Sequence, residues 1–175
     1  HALLDPIQKA AGNLKGHLLL VASSGLDIAH FEQLTCERGH FKPEYSTPLH
    51  RMAAHLEQHH GFAGSMVINT ACSSAANALI YGARLLPGHA GVVVLAFEPQ
   101  SRLIQQGFAA LELTSESGHY RPFHDHRDGL ILGEAGAAVL LSNQQGDSHC
   151  RLLGGYSACD TSSVTGTRED GSHIL

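Results

Sequence analysis

Cys72 stands in the stretch Asn69-Thr70-Ala71-Cys72-Ser73-Ser74-Ala75. A strand-like apolar run, Ser65 to Thr70, leads into it, and an Ala-rich helical run, Ser73 to Leu86, leads away. A thiol on a strand-to-helix turn meets free backbone N–H groups and the positive end of a helix dipole. Both favour the anionic sulfur that acts as a nucleophile. The small neighbours Ala71, Ser73, Ser74 and Ala75 permit a tight turn and open the approach to the sulfur. This is the geometry of a nucleophile elbow, reached with different residues. N–H groups at the helix start could also supply half of an oxyanion hole. The residues alone leave a second reading open, a small buried cysteine packed at a strand end. A nucleophilic cysteine needs an activating partner, and none stands near Cys72 in the chain.

The other chemistry-bearing residues are less pointed. Cys36, Cys150 and Cys159 form no CxxC pair with one another or with Cys72, so a zinc ribbon is not expected. All four cysteines are read as thiols, in a composition suited to a cytoplasmic enzyme domain rather than a cysteine-dense secreted one. Fourteen histidines invite a metal. The candidates are His55 with His59 and His60; His55 and His59 fall at i, i+4 on an expected helix, but the zinc-protease pattern needs Glu directly after the first His, and Leu56 is there instead. His124, Asp125 and His126 lie in a turn-like stretch with no third ligand nearby. Solvated surface histidines are the default, and no metal site is expected.

Elements must position that thiol. A chain of 175 residues is enough for one domain, and 43% hydrophobic against 15% charged residues lets it bury a core. The net charge of −5 opposes phosphate neutralisation, so nucleic-acid binding is not expected. No apolar run approaches the roughly 20 residues of a membrane span. Helices are expected over Ala2 to Ala11, Asp27 to Cys36, Thr47 to His60 (Thr47 as N-cap, Pro48 first), Ser73 to Leu86 and Gln100 to Leu113. Strands are expected over Gly16 to Ser23, Ser65 to Thr70, Ala90 to Phe97, Gly136 to Ser142 and Arg151 to Ser157, the last two as a hairpin turning at Asn143 to Asp147. Polar loops fill Glu37 to Pro48 and Ser115 to His126. Near-continuous apolar strands imply a sheet covered on both faces. The expected fold is therefore α/β, a mixed, mostly parallel five-stranded sheet covered by helices, in a single domain over 1–175.

Four segments carry a family resemblance. Asn69 to Ala78 (NTACSSAANA) resembles the active-site segment of β-ketoacyl-ACP synthases, the condensing enzymes of the thiolase-like superfamily. Phe108 to Ser115 (FAALELTS) resembles their helix-to-loop segment. Arg121 to Gly136 (RPFHDHRDGLILGEAG) resembles their RPFD..RDG...GEG signature. Gly155 to Gly171 is similar to the segment closing the first half of such an enzyme, and the match is collinear from about residue 2 onward. The resemblance implies most of the N-terminal half of a thiolase-like fold, with the family's first strand and C-terminal half absent from these residues.

The resemblance also implies roles. Cys72 matches the nucleophile that takes an acyl chain from acyl carrier protein as a thioester, with its own N–H as one oxyanion donor. Ala71 and Phe108 match positions at the acyl pocket, and Ser23-Ser24-Gly25 falls near a pocket-lining loop. Arg121, Asp125, Arg127, Asp128 and Glu134 are expected to brace the site by ion pairs and hydrogen bonds. The implied reaction is a decarboxylating condensation with malonyl-ACP, in fatty-acid or polyketide elongation. Two histidines of the second half support decarboxylation in the family, and none of this chain's histidines sits in a matching segment. No cofactor is implied, because the substrates ride on the phosphopantetheine of acyl carrier protein. A homodimer or heterodimer with another ketosynthase-like subunit is implied, paired through Gly91 to Phe97.

The pattern breaks in places. The strand after the Cys72 helix ends Ala96-Phe97-Glu98 where the family has GG-x-E, so Phe97 should alter the dimer strand or the pocket floor. Glu112 stands where an Arg meets the acidic carrier protein in some members, and a carboxylate weakens that contact. His124 and His126 flank Asp125 in the second signature. These departures keep a second reading open, a non-condensing partner subunit resembling a chain-length factor. A thiolase or a non-enzymatic interaction domain fits less well.

Overall fold

The computed structural model describes residues 1–38, 48–144, 150–162, 168 and 170–172. Its elements run α1 (Asp5–Ala11), β1 (His17–Ala22), α2 (Leu26–Arg38), α3 (Pro48–His60), β2 (Gly64–Ile68), α4 (Ser74–Leu85), β3 (Gly91–Glu98), α5 (Arg102–Ala110) and β4 (Ala135–Leu141). The four strands form one sheet in the order β2-β1-β3-β4. β1 is parallel to both β2 and β3, and β4 runs antiparallel to β3.

The period-2 alternation of the strands sorts the core onto two faces. Leu19, Val21, Val93 and Leu95 pack with Leu4, Leu14 and the α3 residues Leu49, Ala53 and Leu56. Leu18, Leu20, Ala22, Val92 and Val94 pack on the other face with Ile68, Ala78 and Leu86. Both faces of β1 and β3 are thus buried, which is why their sequences are unbroken apolar runs. Each fully buried Leu or Val contributes about 2 kcal/mol. Side chains also fix the helix starts. Asp27 Oδ1 on α2 accepts the Leu49 N–H at 3.1 Å, capping α3. Ser101 caps α5, its Oγ accepting the Ile104 N–H, while its hydroxyl donates to Glu32 Oε2 at 2.8 Å. That hydroxyl bond, with the Leu103 and Arg102 N–H groups, holds the Glu32 carboxyl below the usual carboxylate range.

Two expectations are overturned. Residues 151–157 form no strand, so the described sheet has four strands and not five. This segment passes over α4 instead of beside β4. A Cβ at Gly155 would lie 2.5 Å from Ile80 Cγ1, while Leu153 and Tyr156 are 88% and 86% exposed. Without a neighbouring ladder its backbone has no strand to pair with. The second correction concerns assembly through Gly91 to Phe97. β3 lies between β1 and β4 and is paired on both sides, so it offers no open edge to another subunit. Among the described strands the outer ones are β2 and β4.

The expected helices and the other strands form within a few residues of their expected bounds, helix 73–86 finishing in a short 3-10 turn at Leu86–Gly88. Thr47, most of the 37–48 loop, part of the 143–147 turn and part of 155–171 lie outside the described residues. Among the described residues no helix is long and apolar enough to cross a membrane.

Candidate active site

β2 ends at Ile68 and α4 begins at Ser74, leaving five residues to reverse the chain. The turn is tight because Ala71 takes a left-handed conformation, φ 52°. For a residue with a Cβ this costs about 1–2 kcal/mol and needs support from its surroundings. Support comes from hydrogen bonds on both sides of Cys72. Ser74 donates its N–H and its hydroxyl to the Ala71 carbonyl, at 3.0 and 2.6 Å. The Ser74 Oγ also accepts the Thr70 N–H at 2.9 Å. Buried Asn77 donates from Nδ2 to Thr70 Oγ1 at 2.8 Å and to Ser73 Oγ at 3.2 Å. Thr70, Ala71, Ser73 and Ser74 are therefore pinned, and Cys72 projects from a fixed frame as an exposed free thiol. That exposure removes the alternative of a buried packing cysteine.

Cys72 lines a cavity of about 480 Å³ at the end of the sheet where β1 and β3 finish. Its walls come from Ser23 and Ser24 after β1, Phe97 to Gln100 at the end of β3, and Ile104 and Phe108 on α5. Leu132, Gly133 and the start of β4 complete it, a contribution not anticipated from the sequence although the GEAG motif covers it. The lining is apolar or small apart from a few serines and glutamines and Glu98. The carboxylate of Glu98 is itself engaged, since Ser24 donates to Oε2 from its N–H at 3.0 Å and its hydroxyl at 2.8 Å.

The expected site residues thus separate into two groups. Cys72, Ala71 and Phe108 come together at the cavity, as do Ser23 and Ser24, while Gly25 is not part of the wall. Phe97 stands in the lining and packs partly against the core, so its bulk acts on the pocket. Arg121, Asp125, Arg127, Asp128 and Glu134 do not line the cavity. Among the described residues none of them forms an ion pair, which corrects half of the bracing expectation; hydrogen bonds carry what bracing there is. Asp128 accepts the Ser115 hydroxyl at 2.7 Å and the Ser117 N–H at 2.8 Å. The Ser117 N–H first, then the Ser115 and Ser117 hydroxyls, lower its carboxyl to about 2. Arg127 donates to the His124 carbonyl at 3.0 Å, and the Arg121 carbonyl accepts the His124 N–H at 3.3 Å. Glu134 accepts a long 3.4 Å bond from the Gln100 N–H, linking the loop exit to the cavity rim. Among the described residues no hydrogen bond joins Asp125 to this set.

The loop from 115 to 130 is closed at its base. Ser115 N–H donates to the Leu130 carbonyl at 2.9 Å, and Leu130 N–H to the Leu113 carbonyl at 2.8 Å. Gly129, φ 143°, is required there, since a Cβ would lie 2.5 Å from the Thr114 carbonyl carbon. Glu112 is exposed in the turn after α5.

Comparison with known proteins places this architecture. A profile described as "Beta-ketoacyl synthase, N-terminal domain" matches residues 29–146. The ketoacyl synthase alpha subunit of a tetracenomycin polyketide synthase from Streptomyces glaucescens is 29% identical over 122 residues, covering 62% of this chain and 29% of that protein. A non-reducing polyketide synthase of Gibberella zeae is 34% identical over 117 residues, covering 62% of this chain and 5% of that protein. The chain therefore spans less than a third of the length of these curated relatives. Among solved structures, an oxazolomycin ketosynthase domain from Streptomyces albus JA3453 superposes with a TM-score of 0.60 at 23% identity. That likeness covers 73% of this chain and 23% of that one, and shows a ketosynthase-like fold. Profile, relatives and fold agree, and the chain belongs to the beta-ketoacyl synthase N-terminal domain family.

Proposed function

We infer that this chain supplies the nucleophile and part of the acyl pocket of a 3-oxoacyl-ACP synthase type acyltransferase. The carrying observation is an exposed thiol, Cys72, held on a braced strand-to-helix turn and opening onto a largely apolar cavity. In this reading Cys72 Sγ attacks the carbonyl of an acyl thioester carried by acyl carrier protein. The S–C bond to Cys72 forms, the bond to the carrier's phosphopantetheine sulfur breaks, and that sulfur leaves with a proton as a thiol. The acyl chain then lies along Phe97, Ile104 and Phe108. Malonyl-ACP loses carbon dioxide, and the resulting enolate attacks the Cys72 thioester. The new carbon–carbon bond releases the 3-oxoacyl product and regenerates the sulfur. Among the described residues the cavity wall holds no histidine. The imidazoles that assist decarboxylation in the family are therefore assigned to residues outside this cavity wall. A homodimeric or heterodimeric partner would extend the sheet at β2 or β4.

The test is intact-mass spectrometry after exposure to an acyl thioester mimic, alone and with the natural partner subunit. One acyl adduct that maps to Cys72 and is absent in Cys72→Ala supports the reading. No adduct in either setting, with a folded chain, would overturn it. That result would favour a non-condensing partner subunit, the reading to which the exposed carboxylate of Glu112 points.

A further inference from the structure

Away from the cavity, three imidazoles that are far apart in sequence converge. α3 ends in His59 and His60, and His1 lies against them from the turn that precedes α1. One ring nitrogen from each of His1, His59 and His60 lies within 4.8 Å of the other two. The rings of His1 and His59 have centroids 4.6 Å apart, and those of His1 and His60 5.2 Å. We propose that His1, His59 and His60 form a binding site for a divalent transition metal ion, zinc above all, that clips the start of α1 to the end of α3.

Position, orientation and ligand chemistry support this. His1 is not a loose end, because its carbonyl accepts the Leu4 N–H at 2.7 Å and the Asp5 N–H at 3.1 Å, and Leu4 is fully buried. His59 and His60 sit on a helix anchored by Leu49, Ala53 and Leu56 in the core. His60 is also oriented. Its Nδ1 lies 3.0 Å from Gln8 Oε1, an acceptor, so Nδ1 carries the hydrogen and Nε2 keeps a free lone pair. Metal-bound histidines usually donate the hydrogen of their other ring nitrogen to an acceptor in this way. The freed Nε2 faces His1 Nδ1 at 3.1 Å. Tetrahedral zinc with bonds of about 2.0–2.1 Å to nitrogen sets its ligands about 3.3 Å apart, so small side-chain rotations close the site. An all-imidazole donor set suits zinc, copper or nickel and not magnesium or calcium. A water takes the fourth position. His55, one turn back with its ring 5.9 Å from that of His59, borders the site. Along the sequence, His55, His59 and His60 count as surface histidines; only the fold adds His1 and the orientation of His60.

The experiment is zinc chloride titration of the full chain against a chromophoric chelator, with a thermal melt alongside. One equivalent should bind and raise the melting midpoint. Binding should fall at least tenfold in His59→Asn/His60→Asn and stay unchanged in His124→Asn/His126→Asn. Gln8→Ala should weaken zinc about ten- to hundredfold, the usual consequence of losing such an orienting partner. Wild-type affinity in His59→Asn/His60→Asn would overturn the site. X-ray absorption of the wild-type chain loaded with one equivalent of zinc makes the test independent of whether any variant folds. Three imidazole nitrogens bonded to the zinc support the proposal, and sulfur bonded to it, meaning zinc on the exposed thiols, overturns it. Neither readout depends on acyl transfer at Cys72.

Discussion

Ser24 and Glu98 are joined by two hydrogen bonds to one carboxylate oxygen, 3.0 Å from the Ser24 N–H and 2.8 Å from its hydroxyl. The pair ties the loop leaving β1 to the end of β3 at the wall of the cavity. Its partners are 74 residues apart in the chain. Hydrogen bonds to a charged acceptor are worth about 1.5–3 kcal/mol each when shielded, and partial exposure reduces that here. Glu98→Gln should therefore lower stability by about 1 kcal/mol, read as a shift in the urea midpoint at unchanged m-value. A midpoint equal to wild type would show that the pair is not a structural tie.

Gly25 lets that carboxylate approach. A Cβ at Gly25 would run into Glu98 Oε1 and come within 2.7 Å of Ile104 Cδ1. Gly25→Ala should cost about 1–3 kcal/mol through overcrowding. In Gly25→Ala/Glu98→Ala the penalty should fall short of the sum of the single changes, because one collision partner is gone. Additivity in a double-mutant cycle would contradict this account.

Much of this fold was legible along the chain. The unbroken apolar runs of β1 and β3 announced strands buried on both faces, and the Asn69 to Ala78 segment announced the cysteine turn. The segment 151–157 misled because a short apolar run does not record whether a neighbouring strand exists; Leu152 and Leu153 have no ladder beside them and are exposed. The dimer strand misled for a related reason. Sheet order is set by long-range pairing, and the antiparallel return of β4 closes the edge of β3 that the sequence left open. The locks at Ser24–Glu98 and His1–His60, the latter spanning 59 residues, join side chains whose separation leaves no local pattern.

The Cys72 frame depends on Asn77. Its Nδ2 is the donor that holds Thr70 Oγ1 and Ser73 Oγ, and the residue is only 5% exposed. Asn77→Ala removes a donor from both oxygens, although Thr70 Oγ1 still accepts the Ser73 hydroxyl at 3.1 Å and the turn is exposed, so it should destabilise the chain by about 1 kcal/mol. Acylation of Cys72 should slow as well, because the turn that presents the sulfur loosens. Cys72→Ala, an exposed position, should leave the urea midpoint within about 0.5 kcal/mol of wild type. The two variants separate support of the thiol from the thiol itself, and a stable Asn77→Ala with unaltered acylation would argue against the frame.

The loop at 115–130 carries its own acid response. Asp128 has a carboxyl lowered to about 2 from an ordinary 3.8, with the Ser117 N–H as the largest cause. A carboxyl lowered by folding stabilises the folded loop above its unfolded value. That contribution fades as pH falls below 3.8 and is gone once pH passes below about 2. The Ser117 amide resonance should therefore titrate with a midpoint near the lower value and lose that transition in Asp128→Asn. A midpoint at the ordinary value would mean that the serines do not hold the carboxylate.

Phe97 makes the sharpest test of the cavity as an acyl pocket. It lines the cavity and packs partly against the core. Phe97→Ala should cost about 2 kcal/mol, less than a fully buried phenyl, because part of the ring already faces open space. The vacated volume adjoins the space beside Cys72, so the variant should admit a longer chain. Octanoyl and acetyl thioester mimics can be offered together and their adducts on Cys72 weighed by intact mass. The octanoyl share should rise several-fold over wild type, a difference of about 1 kcal/mol in discrimination. An unchanged ratio in a folded Phe97→Ala would place the acyl chain elsewhere, and the ring would then be packing for the β3–β4 end of the sheet.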